Sequence, residues 1–153
     1  MEKANEQTFI MIKPDGVCRG LVGKIIERFE CKGFSLIAMK MMKPTKAMTE
    51  KLYEEHKTKP FFGELMNYLQ TGPMIMMVWQ GMDVTRTTRK MIGEIKPLDS
   101  LPGTIRGDLC IDVARNLIHG SESMEMAKKE IAMWFTPAEM FTCCRSDMKM
   151  IYE

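Results

Sequence analysis

MIMMVW, residues 74–79, is apolar at every position and follows a turn formed by Gly72 and Pro73. A strand with one solvated face alternates apolar and polar residues, whereas a strand covered on both faces is apolar throughout. We therefore predict that residues 74–79 form an inner strand of a sheet that is covered on both faces. The rest of the chain is expected to supply the covering elements.

Strands and helices alternate on the N-terminal side of this stretch. The apolar run at 8–13 (TFIMIK) ends at a Lys-Pro-Asp-Gly turn, and residues 34–42 form a second strand-like run. Between these runs, apolar residues recur at the helical period until Gly33, which predicts a helix that ends there. They are Val22, Ile25, Ile26 and Phe29. Two more helices are predicted, one from about residue 46 and one that begins at Pro60.

The C-terminal side continues this alternation after one interruption. Asp83 is a candidate N-cap of the next helix, and a short strand at 117–119 leads into a helix that we expect Ser121 to cap. Thr-Pro-Ala-Glu at 136–139 is a capping box, so a last short helix is predicted to begin there. Regular signals stop from about 93 to 115, and an irregular stretch of this length is more often functional than accidental.

Length, composition and element order predict one domain that spans residues 1–153. The chain is 45% hydrophobic and 27% charged, which is typical of a globular protein. No repeat, low-complexity tract or linker divides it. The order of elements favours an α/β sandwich in which helices pack on a four-stranded sheet.

The net charge, the cysteine pattern and the N-terminal sequence indicate where the protein is located and which class of partner it binds. The net charge of +2 is far below the clustered basic excess of most nucleic-acid-binding proteins. Five scattered cysteines without metal-ligand spacing indicate reduced thiols rather than a secreted disulfide framework. Because MEKANEQ at the N-terminus is polar and no apolar run approaches ~20 residues, we expect a cytoplasmic protein. The eighteen methionines are interpreted as adaptable core filler.

His119 is one of two histidines, the other being His56. It ends a predicted strand, where α/β proteins usually place ligands, and Gly120 after it lets another group approach closely. It also precedes a predicted helix N-terminus, whose free backbone amides favour negative charge. A neutral imidazole nitrogen can attack phosphorus and form a covalent intermediate. His119 is therefore a candidate nucleophile, with a surface or structurally satisfied histidine as the alternative.

Glu130 falls within the apolar stripe of the helix predicted over 122–134, which Ala127, Ile131 and Trp134 define. A buried carboxylate is costly unless another group pairs with it. Two interpretations stay open. Glu130 either accepts a hydrogen bond from the far nitrogen of His119 and fixes its tautomer, or reaches solvent at the edge of the stripe.

Three cations are candidates for phosphate binding, each with a solvated surface position as the alternative. Lys13 closes the first strand, Arg89 lies on the helix before the irregular stretch, and Arg106 lies within that stretch. GVCRGLVGK at 16–24 resembles a P-loop only superficially, because its glycine spacing differs and Ile25 occupies the Ser/Thr position. A nucleotide would therefore be held by side-chain cations and a long loop.

NLIHGS at 116–121 resembles the active-site motif of the nucleoside diphosphate kinases, and the resemblance covers nearly the whole chain. Further matches are TFIMIKPDGV at 8–17, KGF at 32–34, KPFF at 59–62, PGTIRGD at 102–108 and the terminal Tyr152-Glu153. The resemblance implies a ferredoxin-like α/β (α+β) sandwich, with a mainly antiparallel four-stranded sheet covered by helices. It also implies a ping-pong transfer of the terminal phosphoryl group between nucleotides of any base, through a phosphohistidine.

Carried over residue by residue, the resemblance gives each candidate a role. His119 is the nucleophile, Glu130 orients it and Ser121 assists. The other assignments are Lys13 at the phosphate and the sugar, Tyr53 near the transferred group, Arg89 and Arg106 at the phosphates, Asn116 at the ribose, and Phe61 and Val113 on the two faces of the base with Leu65 nearby. Mg²⁺ would bridge phosphate oxygens and be held mainly by these and by water, without dedicated metal-binding residues.

Three residues depart from the family's pattern. Ile95 stands where a Thr is typical, Glu122 replaces an Asp, and Lys59 replaces an Arg. Loss of the Thr hydroxyl is expected to cost ~1 kcal/mol of nucleotide binding. None of the three is the nucleophile, so we expect activity to survive.

The same resemblance leaves two alternative functions to consider and implies an oligomeric state. The chain could be an inactive relative kept as a binding or scaffolding subunit, or a nucleic-acid-binding module of the kind that ferredoxin-like sheets often form. The complete set of site residues argues against the first, and the scarcity of strand aromatics and the weak charge argue against the second. Family members form homo-oligomers, and the C-terminal segment resembles the hexameric form, in which Pro97 and the long loop build subunit contacts.

Overall fold

Four antiparallel strands lie in one sheet in the order β2-β3-β1-β4. The computed structural model describes residues 4–142 and 145–153. The strands are β1 (Gln7–Ile12), β2 (Ser35–Met42), β3 (Met74–Gln80) and β4 (Ile118–Gly120). The α-helices within the described ranges are α1 (Pro14–Cys18), α2 (Val22–Lys32), α3 (Lys46–Leu52), α4 (Phe62–Leu69), α5 (Val84–Ile92), α6 (Ile105–Leu109), α7 (Met124–Trp134) and α8 (Met148–Ile151).

Strand β3 is buried from Met74 to Trp79, as its apolar sequence predicts. Its side chains alternate between two apolar clusters, one on each face of the sheet. Residues of α3, α4 and α7 complete the first cluster, and residues of α2, α5 and α6 complete the second. The predicted ferredoxin-like sandwich, with helices packed on a four-stranded antiparallel sheet, is confirmed.

The two central strands, β1 and β3, are buried along nearly their whole length. RNA-binding sheets of this class instead stack bases on exposed aromatic side chains of their strands. The central strands therefore leave no such platform within the described part of the chain. Within the same ranges, no helix combines the length and apolar character needed to cross a membrane.

One predicted helix boundary is confirmed, and two others differ in position or in helix type. Helix α2 ends at Gly33, whose φ of 101° lies in the left-handed region that favours glycine. Helix α4 begins at Phe62, two residues beyond the Pro60 start that we predicted. The capping box at 136–139 forms, with the Glu139 carboxylate accepting from the Thr136 backbone, but it opens only a 3-10 turn at Pro137–Glu139.

One predicted helix cap is wrong, and a second is confirmed in position but makes no capping hydrogen bond. Helix α7 begins at Met124, and the Ser123 side chain accepts from the Met126 backbone, so Ser123 rather than Ser121 is its cap. Asp83 does precede α5, but its carboxylate binds the Arg86 guanidinium instead of a backbone amide. In both cases a nearby partner outcompetes the local backbone for the side chain.

Two short helices lie where the sequence suggested turns or irregular chain. The Lys-Pro-Asp-Gly segment continues into α1 (Pro14–Cys18), because proline at the first helical position needs no amide partner. Helix α6 lies inside the stretch from 93 to 115 and is capped by the Thr104 hydroxyl, which accepts from the Gly107 backbone 3.0 Å away. A single helical turn is too short to show in apolar periodicity.

Candidate active site

His119 lies in the middle of β4, paired across the strands with Met11 of β1. Its Nε2 atom is 3.0 Å from Oε1 of Glu130, which α7 projects from its buried face. Glu130 is only 3% exposed. Of the two positions left open for this carboxylate, the structure shows the buried one, in contact with the histidine.

Ser121 holds the second oxygen of the same carboxylate. Its hydroxyl donates to Oε2 of Glu130 and also lies 3.3 Å from the Phe9 carbonyl. An ionised carboxylate can only accept, so His119 donates from Nε2 and keeps its lone pair on Nδ1. Among the described residues, none hydrogen-bonds to Nδ1. The arrangement presents one nucleophilic nitrogen of defined orientation.

Gly120 packs closely against two isoleucine side chains and also lines the cavity. A Cβ atom at this position would lie 2.7 Å from Cδ1 of Ile92 on α5 and 3.2 Å from Cδ1 of Ile10. The glycine therefore lets α5 pack closely against β4. The same helix carries Arg89 toward His119, so the close packing also places a cation near the nucleophile.

A cavity of about 800 Å³ opens in front of His119 and is large enough for a small-molecule ligand. It brings together most of the residues singled out from the sequence. These are Lys13, Tyr53, Phe61, Leu65, Arg89, Arg106, Val113, Asn116, His119 and Glu130. Ser121 is fully buried behind Glu130. Of the three departures from the family's pattern, Ile95 and Glu122 line the cavity.

Lys13 and Asn116 meet across the cavity wall. The Lys13 ammonium donates to Oδ1 of Asn116 at 2.7 Å, and the Asn116 amide donates to the Ile95 carbonyl at 3.2 Å. Burial, and next the nearby Arg106 guanidinium, lower the pKa of Lys13 to about 8. A lysine held in this way binds an anion most strongly below that pH.

A strained turn connects Asn116 to His119. Leu117 has a φ of 77°, and the Ile118 amide donates to the Asn116 carbonyl at 2.8 Å, which closes a three-residue turn. The Leu117 carbonyl in turn accepts from the Lys13 amide at 2.9 Å. Strain of this kind persists where the surrounding structure fixes it, often at functional sites. No sequence signal indicated it, because leucine rarely adopts this conformation.

The two arginines differ in how much of each guanidinium is free. Arg106 is buried and donates to four backbone carbonyls, those of Gly93, Glu94, Asn116 and Ile118. Burial lowers the pKa of this guanidinium. Arg89 makes one long contact, 3.5 Å to the Gly120 carbonyl, among the described residues. Arg106 therefore contributes mainly a fixed charge, whereas Arg89 keeps most of its donors available.

Tyr53 places a buried hydroxyl beside the nucleophile. Its ring stands edge-on to that of His119, with centroids 5.7 Å apart, and its oxygen has no hydrogen-bond partner in the described part of the chain. Burial, and next the Glu130 charge, raise the pKa of this phenol, so it stays protonated. An unpartnered buried donor is costly, which indicates that a ligand completes the site.

The far end of the cavity has a different character. Phe61, just before α4, and Val113, in a 3-10 turn at Val113–Arg115, are each about half exposed at 50% and 51%. Sequence reasoning missed several further lining residues, among them His56, Met126, Tyr68 and Arg115. His56 lies between Tyr53 and Phe61, with ring centroids 6.2 and 5.9 Å away. The only sequence signal for His56 was that the chain has just two histidines, and no local pattern placed this one in the cavity.

Comparisons with known proteins agree with this geometry. The sequence profile of the family described as "Nucleoside diphosphate kinase" matches residues 6–140. The chain is 54% identical to a nucleoside diphosphate kinase of Drosophila melanogaster over 153 residues, which is all of both proteins. It is 53% identical to nucleoside diphosphate kinase A 1 of Bos taurus, covering 97% of this chain and 98% of that one.

A solved structure is similar in fold as well as in sequence. The halophilic nucleoside diphosphate kinase from Halobacterium salinarum, in complex with CDP, superposes with a TM-score of 0.95 at 42% identity. The match covers 97% of this chain and 99% of that chain.

Proposed function

This chain belongs to the nucleoside diphosphate kinase family and transfers the terminal phosphoryl group of a nucleoside triphosphate to a nucleoside diphosphate, and we propose that His119 carries the group between the two. The observation that supports this proposal most directly is the His119–Glu130–Ser121 arrangement. It leaves Nδ1 of the histidine as the one ring nitrogen with a free lone pair facing the cavity.

The reaction then runs in two displacements. Nδ1 of His119 forms a bond to the γ-phosphorus while the bond from that phosphorus to the bridging oxygen breaks, and the nucleoside diphosphate leaves with the electron pair. A terminal oxygen of a second diphosphate next attacks the phosphohistidine, and the nitrogen recovers its lone pair. Glu130 holds the proton on Nε2 through both steps and stabilises the positive charge on the ring.

The cations and Tyr53 are assigned to the phosphates. Lys13, Arg89 and Arg106 surround the space in front of His119 and would offset the charge on the migrating group. The Tyr53 hydroxyl would donate to an oxygen of that group and so gain the partner it lacks. Because Arg106 is already bonded to four carbonyls, we assign the direct phosphate contacts chiefly to Arg89 and Lys13.

The nucleoside is assigned to the outer end of the cavity. Phe61 and Val113 would cover the two faces of the base, with Leu65 beside them, and Asn116 would bind the ribose while it keeps its bond to Lys13. Stacking and apolar contact discriminate weakly between bases, which supports a broad nucleotide specificity. The similar Halobacterium salinarum structure holds CDP, a pyrimidine nucleotide.

A phosphotransferase of this family needs a divalent cation, and we propose that it is Mg²⁺. The described residues include no group of three or more His, Cys, Asp or Glu side chains placed to hold a metal ion. Mg²⁺ keeps several waters and binds phosphate oxygens, so it can arrive bound to the nucleotide. When bound, the cation would neutralise charge on the diphosphate.

We also propose that the chain forms one domain over residues 1–153 and assembles as a cytoplasmic homohexamer. The loop between α5 and β4 exposes Leu98, Leu101 and Ile111 at 75% or more, and a subunit contact on this loop would bury them. Pro97, in the same loop, is buried. Sedimentation should give a mass six times that of the 17.6 kDa chain. A monomer at micromolar concentration would contradict this assembly.

The decisive experiment is labelling with ATP that carries a labelled γ-phosphate. The wild-type chain should acquire an acid-labile, base-stable phosphate, which GDP or CDP then removes in the presence of Mg²⁺. His119→Ala should not label, while His56→Ala serves as the matched histidine control. A wild-type protein that fails to label, or a His119→Ala variant that labels normally, would defeat the proposal.

A further inference from the structure

Three side chains from separate segments form a chain of contacts at the cavity, and none of the roles above uses them. Tyr68 and Arg115 themselves line the cavity. The Arg115 guanidinium lies over the Tyr68 ring, 4.2 Å from its centroid. The Tyr68 hydroxyl donates to Oδ1 of Asp15 and accepts from the Asp15 backbone amide at 3.3 Å. Tyr68 is buried, and Arg115 is exposed on its outer side.

The charges along this chain of contacts are arranged to reinforce one another. A phenol that donates to a carboxylate carries more negative charge on its ring face, which attracts the guanidinium more strongly. Burial, and next the hydrogen bond to Asp15, raise the pKa of Tyr68, so the phenol remains a donor. The Asp15 carboxylate therefore strengthens the contact between the Tyr68 ring and the Arg115 guanidinium.

The three residues lie close in sequence to residues that we assign to the nucleotide. Tyr68 is on α4, whose first turn follows Phe61, and Arg115 ends the turn that begins with Val113. Asp15 is two residues after Lys13. The stack of Arg115 on Tyr68 consequently connects the two walls of the slot in which the base would lie.

We propose that Arg115, Tyr68 and Asp15 form a brace that sets the separation of Phe61 and Val113 and thereby the affinity for the nucleoside. Tyr68 and Arg115 line the cavity, and we assign their effect on the substrate to the spacing of the two walls that they join, so they are positioning residues. The inference rests on the base site assigned above. It predicts that loss of the brace weakens nucleotide binding without slowing the chemical step.

Arg115→Ala should raise the Kd for ADP and the KM for nucleoside diphosphates about two- to fivefold, the range expected for one exposed cation–π contact. The kcat should stay within twofold. Competition by inorganic pyrophosphate, which has no base, should be unchanged. Arg115→Lys, which keeps the charge but loses the planar stack, should fall between wild type and alanine. Lys24→Ala, which removes an exposed charge from α2, is the control.

A double-mutant cycle tests the contact itself. In a Tyr68→Leu background, Arg115→Ala should have no further effect on the Kd for ADP. If Arg115→Ala weakens pyrophosphate and ADP equally, Arg115 is a phosphate ligand and the brace is refuted. Additive effects in the cycle, or an unchanged Kd in Arg115→Ala, refute it as well. Calorimetry measures ADP binding without phosphoryl transfer. These results therefore test the brace even if His119 is not phosphorylated in the labelling experiment.

Discussion

The two ends of the cavity are built differently. At the inner end, His119, Ser121 and Glu130 project from a central sheet and a packed helix, and each side chain has a named partner in the buried interior. At the outer end, Phe61 and Val113 lie on a helix start and a 3-10 turn, half exposed. The inner end is buried and polar, whereas Phe61 and Val113 at the outer end are apolar and half exposed.

The inner end must position the reacting atoms accurately, whereas the outer end must accept bases of different shape. Attack in line on a phosphorus tolerates little error in the position of the nucleophile, because a displacement of about 1 Å can cost about 10²-fold in rate. A base of variable shape needs only a flat apolar slot, because stacking is insensitive to the pattern of hydrogen-bonding groups. Variants at the inner end should therefore change kcat, and variants at the outer end should change KM.

The largest effect is expected at Glu130. Glu130→Ala removes the partner of Nε2 and of the Ser121 hydroxyl, so the imidazole loses its fixed tautomer and orientation. We expect the rate of His119 phosphorylation to fall about 10²-fold or more in single-turnover measurements, with a smaller change in KM. Glu125→Ala is the matched control, because Glu125 lies on the exposed face of α7 in a pair with Lys129. A loss below threefold would contradict the orienting role.

The second effect concerns Lys13 and pH. Because the pKa of Lys13 is lowered to about 8, the free enzyme loses this positive charge as the pH rises through that value. If only the charged form binds phosphate, kcat/KM should fall about 30-fold between pH 7 and 9.5, since kcat/KM reports the ionisation of the free enzyme. Lys13→Arg should remove this decline, because a guanidinium stays protonated. A wild-type profile that is flat to pH 9.5 would refute the assignment.

The third effect tests the outer end. Phe61→Ala should raise KM about tenfold for purine and pyrimidine diphosphates alike, which corresponds to about 1.4 kcal/mol of lost stacking. The kcat should change less than twofold, because the nucleophile is untouched. Phe141→Ala, which removes an exposed phenylalanine that does not line the cavity, is the control. A fall in kcat comparable to the rise in KM would show that the two ends are not independent.

The smallest effect is expected at Ile95, which lines the cavity and whose carbonyl accepts from the Asn116 amide. Ile95→Thr should lower the KM for nucleotides about fivefold, because one hydrogen bond to a phosphate contributes about 1 kcal/mol. Ile95→Val keeps the branched shape without the hydroxyl and should leave KM unchanged. If the valine and threonine variants behave alike, the hydroxyl is not the missing element.

Much of the fold could be predicted because apolar periodicity records burial directly. In helix α2 the buried Ile25 and Phe29 lie four residues apart, at the helical spacing, and in strand β3 the uninterrupted apolar run is buried from Met74 to Trp79. The caps of α5 and α7 could not be predicted in the same way. Asp83 and Ser121 have the right chemistry for a cap, and only the positions of Arg86 and Glu130 show that their side chains bind elsewhere.

The sequence by itself placed Glu130 within the apolar stripe of its helix, where it would need a partner if buried, because burial of an unpaired charge is costly. It also made His119 a candidate nucleophile. It also determined the inner position of residues 74–79. Only the tertiary structure decided which nitrogen of His119 is free, that Arg106 is largely bonded to backbone, and that Tyr68 joins Asp15 to Arg115. These contacts join residues that lie far apart in the chain, where no local pattern constrains which group approaches which.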